Sequence, residues 1–430
     1  MIYFSVMDYK LKTLSSDLKL LIVPMPNSES VTLTVWVKTG SRNEEKRILG
    51  ISHFLEHMVF KGSKKYPTMK ELFEKFDAMG AEHNAGTTKE WTNFWVKLPV
   101  FDIERGFDIL SDVVLRPLLN LKEAEKERRV IFEEMKMYED MPMRNIPDVF
   151  EELIYKGNPL GLDTIGTVDS MNRIKREDFL NYRKKHYFGK NMLISVAGGV
   201  KEEQILNLTK NYFSDVETKP ESVKQAPFKF DQKAPRVRIK NKKTDQAHFI
   251  LGFPAEGRNY KNKYPQAVLS TILGGGASSR LFTEVREKRG LAYAVSGSMD
   301  RYSDTGYFGV YTGCALDKPY EAISVILDQC YGLTHGKYKV TKKELDKVKG
   351  FIKGHIALSL EESENVSDFF AEQVLFDKNI YTPEGVFKKI DAVCMEEVYS
   401  EAKKLFIPSK LNLAVIGPYS GEEKFKKLLK

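Results

Sequence analysis

The chain has 430 residues, of which 42% are hydrophobic, 11% aromatic and 29% charged. That composition excludes a disordered or collagen-like chain, and no apolar run approaches the ~18 residues a membrane-spanning helix needs. Lys and Arg outnumber Asp and Glu by 67 to 59, a net charge of +8. The two signs interleave, as on a solvated surface, with no basic stripe to hold nucleic acid. The three cysteines, Cys314, Cys330 and Cys394, form no CxxC pair. They suit a reducing compartment. The first residues, MIYFSVMDYKLKTL, lack the pattern of a secretory or transit peptide. The expectation is a cytoplasmic protein with no membrane and no nucleic-acid partner.

In chain order, β-branched alternation predicts strands at 18–25 (LKLLIVPM) and 31–40 (VTLTVWVKTG). Residues 50–61, GISHFLEHMVFK, have helical periodicity, and Gly62 is placed to end that helix. Residues 68–79 and 120–140 are also helical by period, and TNFWVKLP at 92–99 returns to a strand. A repeat then emerges. Residues 170–199 match 389–418 at a gapless offset of 219, pairing Glu177 with Glu396, Tyr187 with Phe406 and Gly198 with Gly417. Each copy reads as an amphipathic helix, a turn and a strand ending in Gly. Half the chain is 215 residues, close to the offset. The chain therefore reads as a duplication, with one domain at 1–216, a proline- and charge-rich linker at 217–235, and a homologous domain at 236–430. Neighbouring strands with helices between them predict an α+β fold of layered α/β sandwiches rather than a doubly wound parallel sheet.

The helix at 50–61 carries the chemistry. At ~100° per residue, Ile51, Phe54, Leu55 and Met58 make a core-seeking stripe, and His53, Glu56 and His57 fall opposite. Two imidazoles one turn apart can converge on one ion at the ~2.0–2.1 Å that zinc prefers. Glu56 lies beside that position. A carboxylate there can take a proton from a metal-activated water and pass it to a leaving amine. The plainer alternative is two surface histidines, but the chain has only seven His in all. A catalytic site needs a third protein ligand. The acidic segment 121–140 offers Glu127 and Glu134, seven apart on one face, with Glu133 turned ~100° away. One could ligate while the other hydrogen-bonds a ligating His.

HFLEHMVFKG at 53–62 and ERRVIFEEM at 127–135 together resemble the inverted-motif (HxxEH) zinc metallopeptidases of the pitrilysin, insulysin and mitochondrial processing peptidase family. The likeness runs over nearly the whole chain and is nearest to the processing-peptidase-like bacterial branch. It implies that Glu134, not Glu133, is the third metal ligand, and that Glu127 is the acid behind a ligating His. It implies one zinc per chain, held by His53, His57 and Glu134, with Glu56 as general base and then acid. GAEHNAGTTKEWTNFWVKLP at 80–99 resembles the family's substrate-edge segment, where Asn84 and Ala85 correspond to residues that hold a peptide backbone. An exposed edge strand accepts an extended peptide as one more strand. His83, in the same segment, is not expected as a ligand. GGGASSRLFTEVREKRGLAYAVSG at 274–297 resembles the partner domain, and Arg286 and Tyr293 match a pair that reaches the scissile peptide. Its glycines lack the GK[ST] of a phosphate loop.

The second half lacks HxxEH, so the resemblance implies a metal-free copy facing the catalytic one across a clamshell. A chain carrying both kinds of half implies a homodimer, with a heterodimer with an inactive relative as the rival arrangement. The expected function is a zinc endopeptidase that hydrolyses extended or unfolded peptides in an enclosed chamber. The alternative is a non-catalytic subunit of the same family.

Overall fold

The computed structural model describes residues 7–219 and 227–429. The first sheet contains β1 (Lys10–Thr13), β2 (Lys19–Pro24), β3 (Ser30–Val37), β4 (Glu82–Thr87), β5 (Thr92–Pro99) and β6 (Met192–Gly198). Its strand order is β1-β2-β6-β3-β5-β4, with β2 and β6 parallel and the other pairs antiparallel. The second sheet contains β7 (Arg236–Asn241), β8 (Gln246–Glu256), β9 (Ala292–Arg301), β10 (Thr305–Ala315) and β11 (Asn412–Gly417). Its order is β7-β11-β8-β10-β9, with β7 and β11 parallel. Apart from β1, the two sheets have the same topology strand for strand. The repeat read at 170–199 and 389–418 falls on equivalent elements: helices Arg176–His186 and Met395–Leu405 lead into β6 and β11. The α+β expectation holds.

The domain boundaries differ from those expected. The first compact unit holds the described residues of 1–135, 162–226 and 358–382, and the second holds 136–161, 227–357 and those of 383–430. Each half of the sequence thus gives a helix to the other half's sheet. Helix Ser363–Phe376 packs on β2, β3 and β6. Helix Pro142–Ile154 packs on β7, β8 and β11. The two helices sit at nearly the same offset as the repeat, so the exchange is reciprocal. The 217–235 linker is also shorter than expected, and 220–226 of it lie outside the described residues. Phe228 and Phe230 pack on Tyr155, and Gln232 hydrogen-bonds Asn412 and the Leu411 carbonyl. Charges and prolines mark this stretch as a linker by composition, but its two aromatic rings have apolar area to bury, and the second unit's core takes it.

Both faces of each sheet are covered, so the central strands are buried on both sides. In β3, Val31, Leu33 and Val35 alternate with Thr32, Thr34 and Trp36, and all six are buried. The threonines meet helix Ser363–Phe376 through hydroxyls: Thr32 Oγ1 lies 2.8 Å from Ser363 Oγ, and Ser195 and Thr34 both contact Ser367 Oγ. In the second unit the exchanged helix packs Ile146, Val149 and Phe150 against Ile250, Tyr307, Ala414 and Ile416, and its buried Glu151 accepts from the Tyr307 hydroxyl at 3.4 Å. The second unit's main core lies on the other face, where Phe249, Leu251, Phe308 and Val415 meet Val268, Leu269 and Ile272 of helix Lys263–Gly274.

Candidate metal centre

Helix Ile51–Val59 starts at Gly50, whose φ of +85° suits a residue without Cβ. No side chain of the helix caps it. Glu44, from the preceding loop, does so: its carboxylate accepts N–H bonds from Gly50 (2.6 Å) and Ser52 (2.8 Å), two of the donors a helix start leaves unsatisfied. Burial pushes the Glu44 carboxyl up to about 7 against the pull of those bonds. Ser52 Oγ also meets the Tyr182 hydroxyl at 2.7 Å, and Tyr182 meets Thr39 at 3.0 Å. The helix is therefore pinned at its buried end. It stops at Val59 with Phe60 as its cap, earlier than Gly62, which lies in the following turn at φ +132°.

The expected stripe Ile51, Phe54, Leu55 and Met58 is fully buried, and His53, Glu56 and His57 are mostly buried but partly accessible on the other face. The acidic segment forms one helix, Leu121–Asp140, that brings Glu127 and Glu134 to the histidines and leaves Glu133 exposed. His53 Nε2 and His57 Nε2 are 3.2 Å apart. Glu134 Oε1 lies 3.6 Å from His53 Nε2, and its Oε2 lies 3.5 Å from His57 Nε2. Ligand atoms at ~2.0–2.1 Å around a tetrahedral zinc stand roughly 3.3–3.4 Å from one another, so these three donors fit one zinc. Among the described residues they are the one such group of His, Cys, Asp and Glu.

The surroundings favour a cation. His57 Nδ1 meets Glu127 Oε1 at 2.8 Å, and Lys61 Nζ meets Glu127 Oε2 at 2.6 Å. A proton on Nδ1, donated to Glu127, leaves His57 Nε2 free to bind a metal. Burial works against the charge on Glu127, yet His57 and Lys61 outweigh it and hold the carboxyl below its ordinary range. Burial likewise opposes a positive charge on His53, but Glu134, Glu56 and Glu44 prevail and raise its pKa. His53 Nδ1 is buried and has no hydrogen-bond partner among the described residues.

The other sequence-selected residues fall in two places. Asn84 and Ala85 lie on β4, one of the two edge strands of the first sheet. His83, beside them, is stacked on Phe76 with centroids 4.2 Å apart and does not join the metal group. Arg286 and Tyr293 lie in the second unit, together. Arg286 sits on a short π-helical segment, Phe282–Glu287, and donates from Nη1 to the Tyr293 carbonyl at 3.0 Å. Its guanidinium also covers the Tyr293 ring, which is 76% exposed on the edge strand β9. The glycines before them serve packing: a Cβ on Gly274 would stand 2.2 Å from the Gly297 nitrogen. Four residues at the centre escaped the sequence reading: Glu44, Lys61, Thr87 and Tyr182. Lys61 alone carried a signal, one turn past His57 on the same face. Thr87 Oγ1 donates to Glu56 Oε2 at 2.5 Å, a contact that no local spacing announces.

Comparison with known proteins agrees with this arrangement. Residues 19–168 match the insulinase (peptidase family M16) model, and residues 173–350 match the peptidase M16 inactive domain model. The inactive-domain match covers most of the half that lacks HxxEH. An uncharacterised zinc protease of Streptomyces coelicolor is 31% identical over 417 residues, 96% of this chain and 90% of the relative. The uncharacterised zinc protease YmxG of Bacillus subtilis is 32% identical over 407 residues, 94% of this chain and 97% of the relative. The solved structure of a protease from Helicobacter pylori shares the fold with a TM-score of 0.89 at 23% identity, covering 96% of this chain and all of that one. Whole-length similarity to zinc proteases, with the two histidines and a glutamate gathered as donors in the half that matches the insulinase model, makes this chain a member of the M16 family of zinc metallopeptidases.

Proposed function

We propose that the protein is a zinc-dependent endopeptidase acting on extended or unfolded peptides in an enclosed chamber. His53, His57 and Glu134 would hold one zinc per chain, and Glu56 is the general base. The observation that carries this reading is the spacing of the three donors, 3.2–3.6 Å, with Glu56 on the same helix face. A bound zinc supplies Lewis-acid activation of water and of the scissile carbonyl. The chain's own residues do the rest. Glu56 takes the proton from the attacking water and returns it to the leaving amine. β4, an edge strand, offers its outer side at Asn84 and Ala85 to an extended peptide, which would displace the Asn84 Oδ1 that accepts from the Ala85 N–H at 2.9 Å. Arg286 anchors a substrate carbonyl or carboxylate, and the Tyr293 hydroxyl hydrogen-bonds the developing oxyanion.

Mass spectrometry of an unstructured peptide mixture incubated with zinc-loaded protein tests the activity. The wild type is expected to cleave. Glu56→Gln is expected to keep its zinc and lose about 10²–10⁴-fold in rate, the usual contribution of a positioned base. Substantial cleavage by Glu56→Gln would remove Glu56 from the role. We further propose that two copies of the chain complete each site, Arg286 and Tyr293 of one serving the zinc of the other. Mixing Glu56→Gln with Tyr293→Phe chains, each weak alone, is then expected to restore activity, because one site in each mixed dimer regains both intact halves. No recovery in a confirmed mixed dimer would reject that arrangement.

A further inference from the structure

Glu56 is a long side chain with several rotatable bonds, and a general base works only when its carboxylate is aimed. Its hydrogen-bond donor among the described residues is the Thr87 hydroxyl, 2.5 Å from Oε2. A bond to one carboxylate oxygen restrains where the group can lie. It leaves the other oxygen, Oε1, to receive a proton.

Thr87 is itself held with unusual firmness for a residue at the end of an edge strand. It pairs across the β4–β5 hairpin with Thr92, whose hydroxyl donates to the Thr39 carbonyl at 3.0 Å. The turn between them is tied by Thr88 N–H to the Trp91 carbonyl, and by Trp91 N–H to Thr88 Oγ1 at 3.1 Å. The turn then docks on the loop after β3. Ser41 N–H donates to the Thr88 carbonyl at 3.0 Å, and Arg42 N–H to the Lys89 carbonyl at 2.9 Å. Gly40 permits this approach, since a Cβ there would lie 2.1 Å from the Thr88 oxygen. Arg42 and Glu90 complete the clamp with a 2.7 Å ion pair whose side chains are 3% and 4% exposed. Desolvating two charges is costly, and breaking one such pair leaves a buried charge uncompensated. Here the pair locks the turn in one register.

We infer that Thr87 is a positioning residue for the general base, and that the clamped β4–β5 turn sets its place. The edge strand proposed to receive an extended peptide therefore also carries the hydroxyl that aims Glu56. Docking surface and base orientation are one rigid piece. This inference rests on the peptidase reading and on the role of Glu56 in it.

The test compares Thr87→Val, which keeps the shape and removes the hydroxyl, with Thr87→Ser, which keeps the hydroxyl. Both are assayed for zinc content, thermal midpoint, kcat and KM on a cleaved peptide, and their crystal structures are solved. Thr87→Val is expected to lower kcat on the order of ten-fold, the scale of one hydrogen bond to a charged group. Its KM and zinc content are expected to stay within about two-fold, since the ligands and the backbone of the edge strand are unchanged. Thr87→Ser is expected to recover most of kcat. The Glu56 carboxylate is expected to leave its place in the Val structure and keep it in the Ser structure. A wild-type kcat in Thr87→Val, or an undisplaced Glu56, overturns the inference while the peptidase reading stands. So does a loss that Ser fails to rescue and that follows zinc or thermal midpoint. An inert, zinc-loaded wild type overturns the peptidase reading and this inference with it.

Discussion

The two units show how one scaffold can be furnished in two ways. Tyr182 and Glu401 stand 219 residues apart, at the same position of equivalent helices. Each anchors the start of the helix beneath its sheet. Tyr182 does it with one hydroxyl shared between Ser52 and Thr39, at the head of the histidine helix. Glu401 does it with a fully buried carboxylate that accepts from Tyr260, Asn262 and Gln266 and pairs with Lys404. The helix above Glu401 then runs Lys263–Gly274 with no histidine, its residues largely buried. The exchanged helices diverge likewise: Ser363 and Ser367 of one meet strand hydroxyls, whereas Glu151 of the other is a buried carboxylate that accepts from Tyr307 on β10. Buried topology is constrained by packing over the whole sheet. A polar face constrains only its neighbours, so it can gain or lose chemistry without disturbing the fold.

The sharpest way to break the comparison is at the third donor. Glu134→Ala is expected to lose zinc, measured by metal analysis of folded protein, because a bidentate His pair alone binds far more weakly. Glu133→Ala, one residue away and exposed, is expected to keep it. Zinc retained in Glu134→Ala would transfer the ligand role to another acid.

A smaller effect separates the two anchors. Glu401→Gln is expected to cost about 1.5–3 kcal/mol in chemical denaturation, the scale of hydrogen bonds to a charged group. Tyr182→Phe is expected to cost about 0.5–1.5 kcal/mol, the scale of a neutral bond. Equal costs would mean that the buried charge adds nothing over a hydroxyl at this position.

The first unit also carries a pH-dependent contribution to stability, at His186. His186 is fully buried, and neither ring nitrogen has a hydrogen-bond partner among the described residues. Burial, with Lys185 and Lys219 nearby, lowers its pKa to about 3. The unfolded chain takes up this proton near pH 6.5 while the folded chain stays neutral. The stability contribution of His186 is thus complete above about pH 6.5 and declines toward pH 3, by about 1.4 kcal/mol per unit. Glu44, raised to about 7, acts in the opposite sense, losing its contribution as pH rises from its unfolded pKa toward 7. Comparing wild type with His186→Phe by denaturant titration between pH 4 and 7 isolates the first term. The variant is expected to show a flatter acid limb, and an unchanged limb would mean that His186 is protonated in the folded state.

Much of the site was legible because helical spacing is a local property. His53, Glu56 and His57 fall on one face by arithmetic, and the apolar stripe opposite them is buried as expected. Glu127 and Glu134 share a face for the same reason, although choosing Glu134 as ligand took family likeness. The matched segments at 170–199 and 389–418 revealed the duplication, because the same buried period recurs at both. The helix exchange was not legible. Amphipathicity in 142–154 and 363–376 says that each helix buries one face, not which sheet receives it. Phe228 and Phe230 were hidden for a related reason, since charge and proline dominate the composition around them.

Sequence alone therefore determined which side chains can bind and activate: the imidazole pair, the acids two turns apart, the glutamate between the histidines. Tertiary structure alone decided what holds them in place. Glu44 caps the helix from a neighbouring loop, Lys61 bonds the far oxygen of Glu127, and Thr87 reaches Glu56 from an edge strand 31 residues away. Such contacts join elements that are distant along the chain, and they exist only once both elements are packed. Periodicity records the direction in which a side chain leaves its own helix or strand, not the group it meets there.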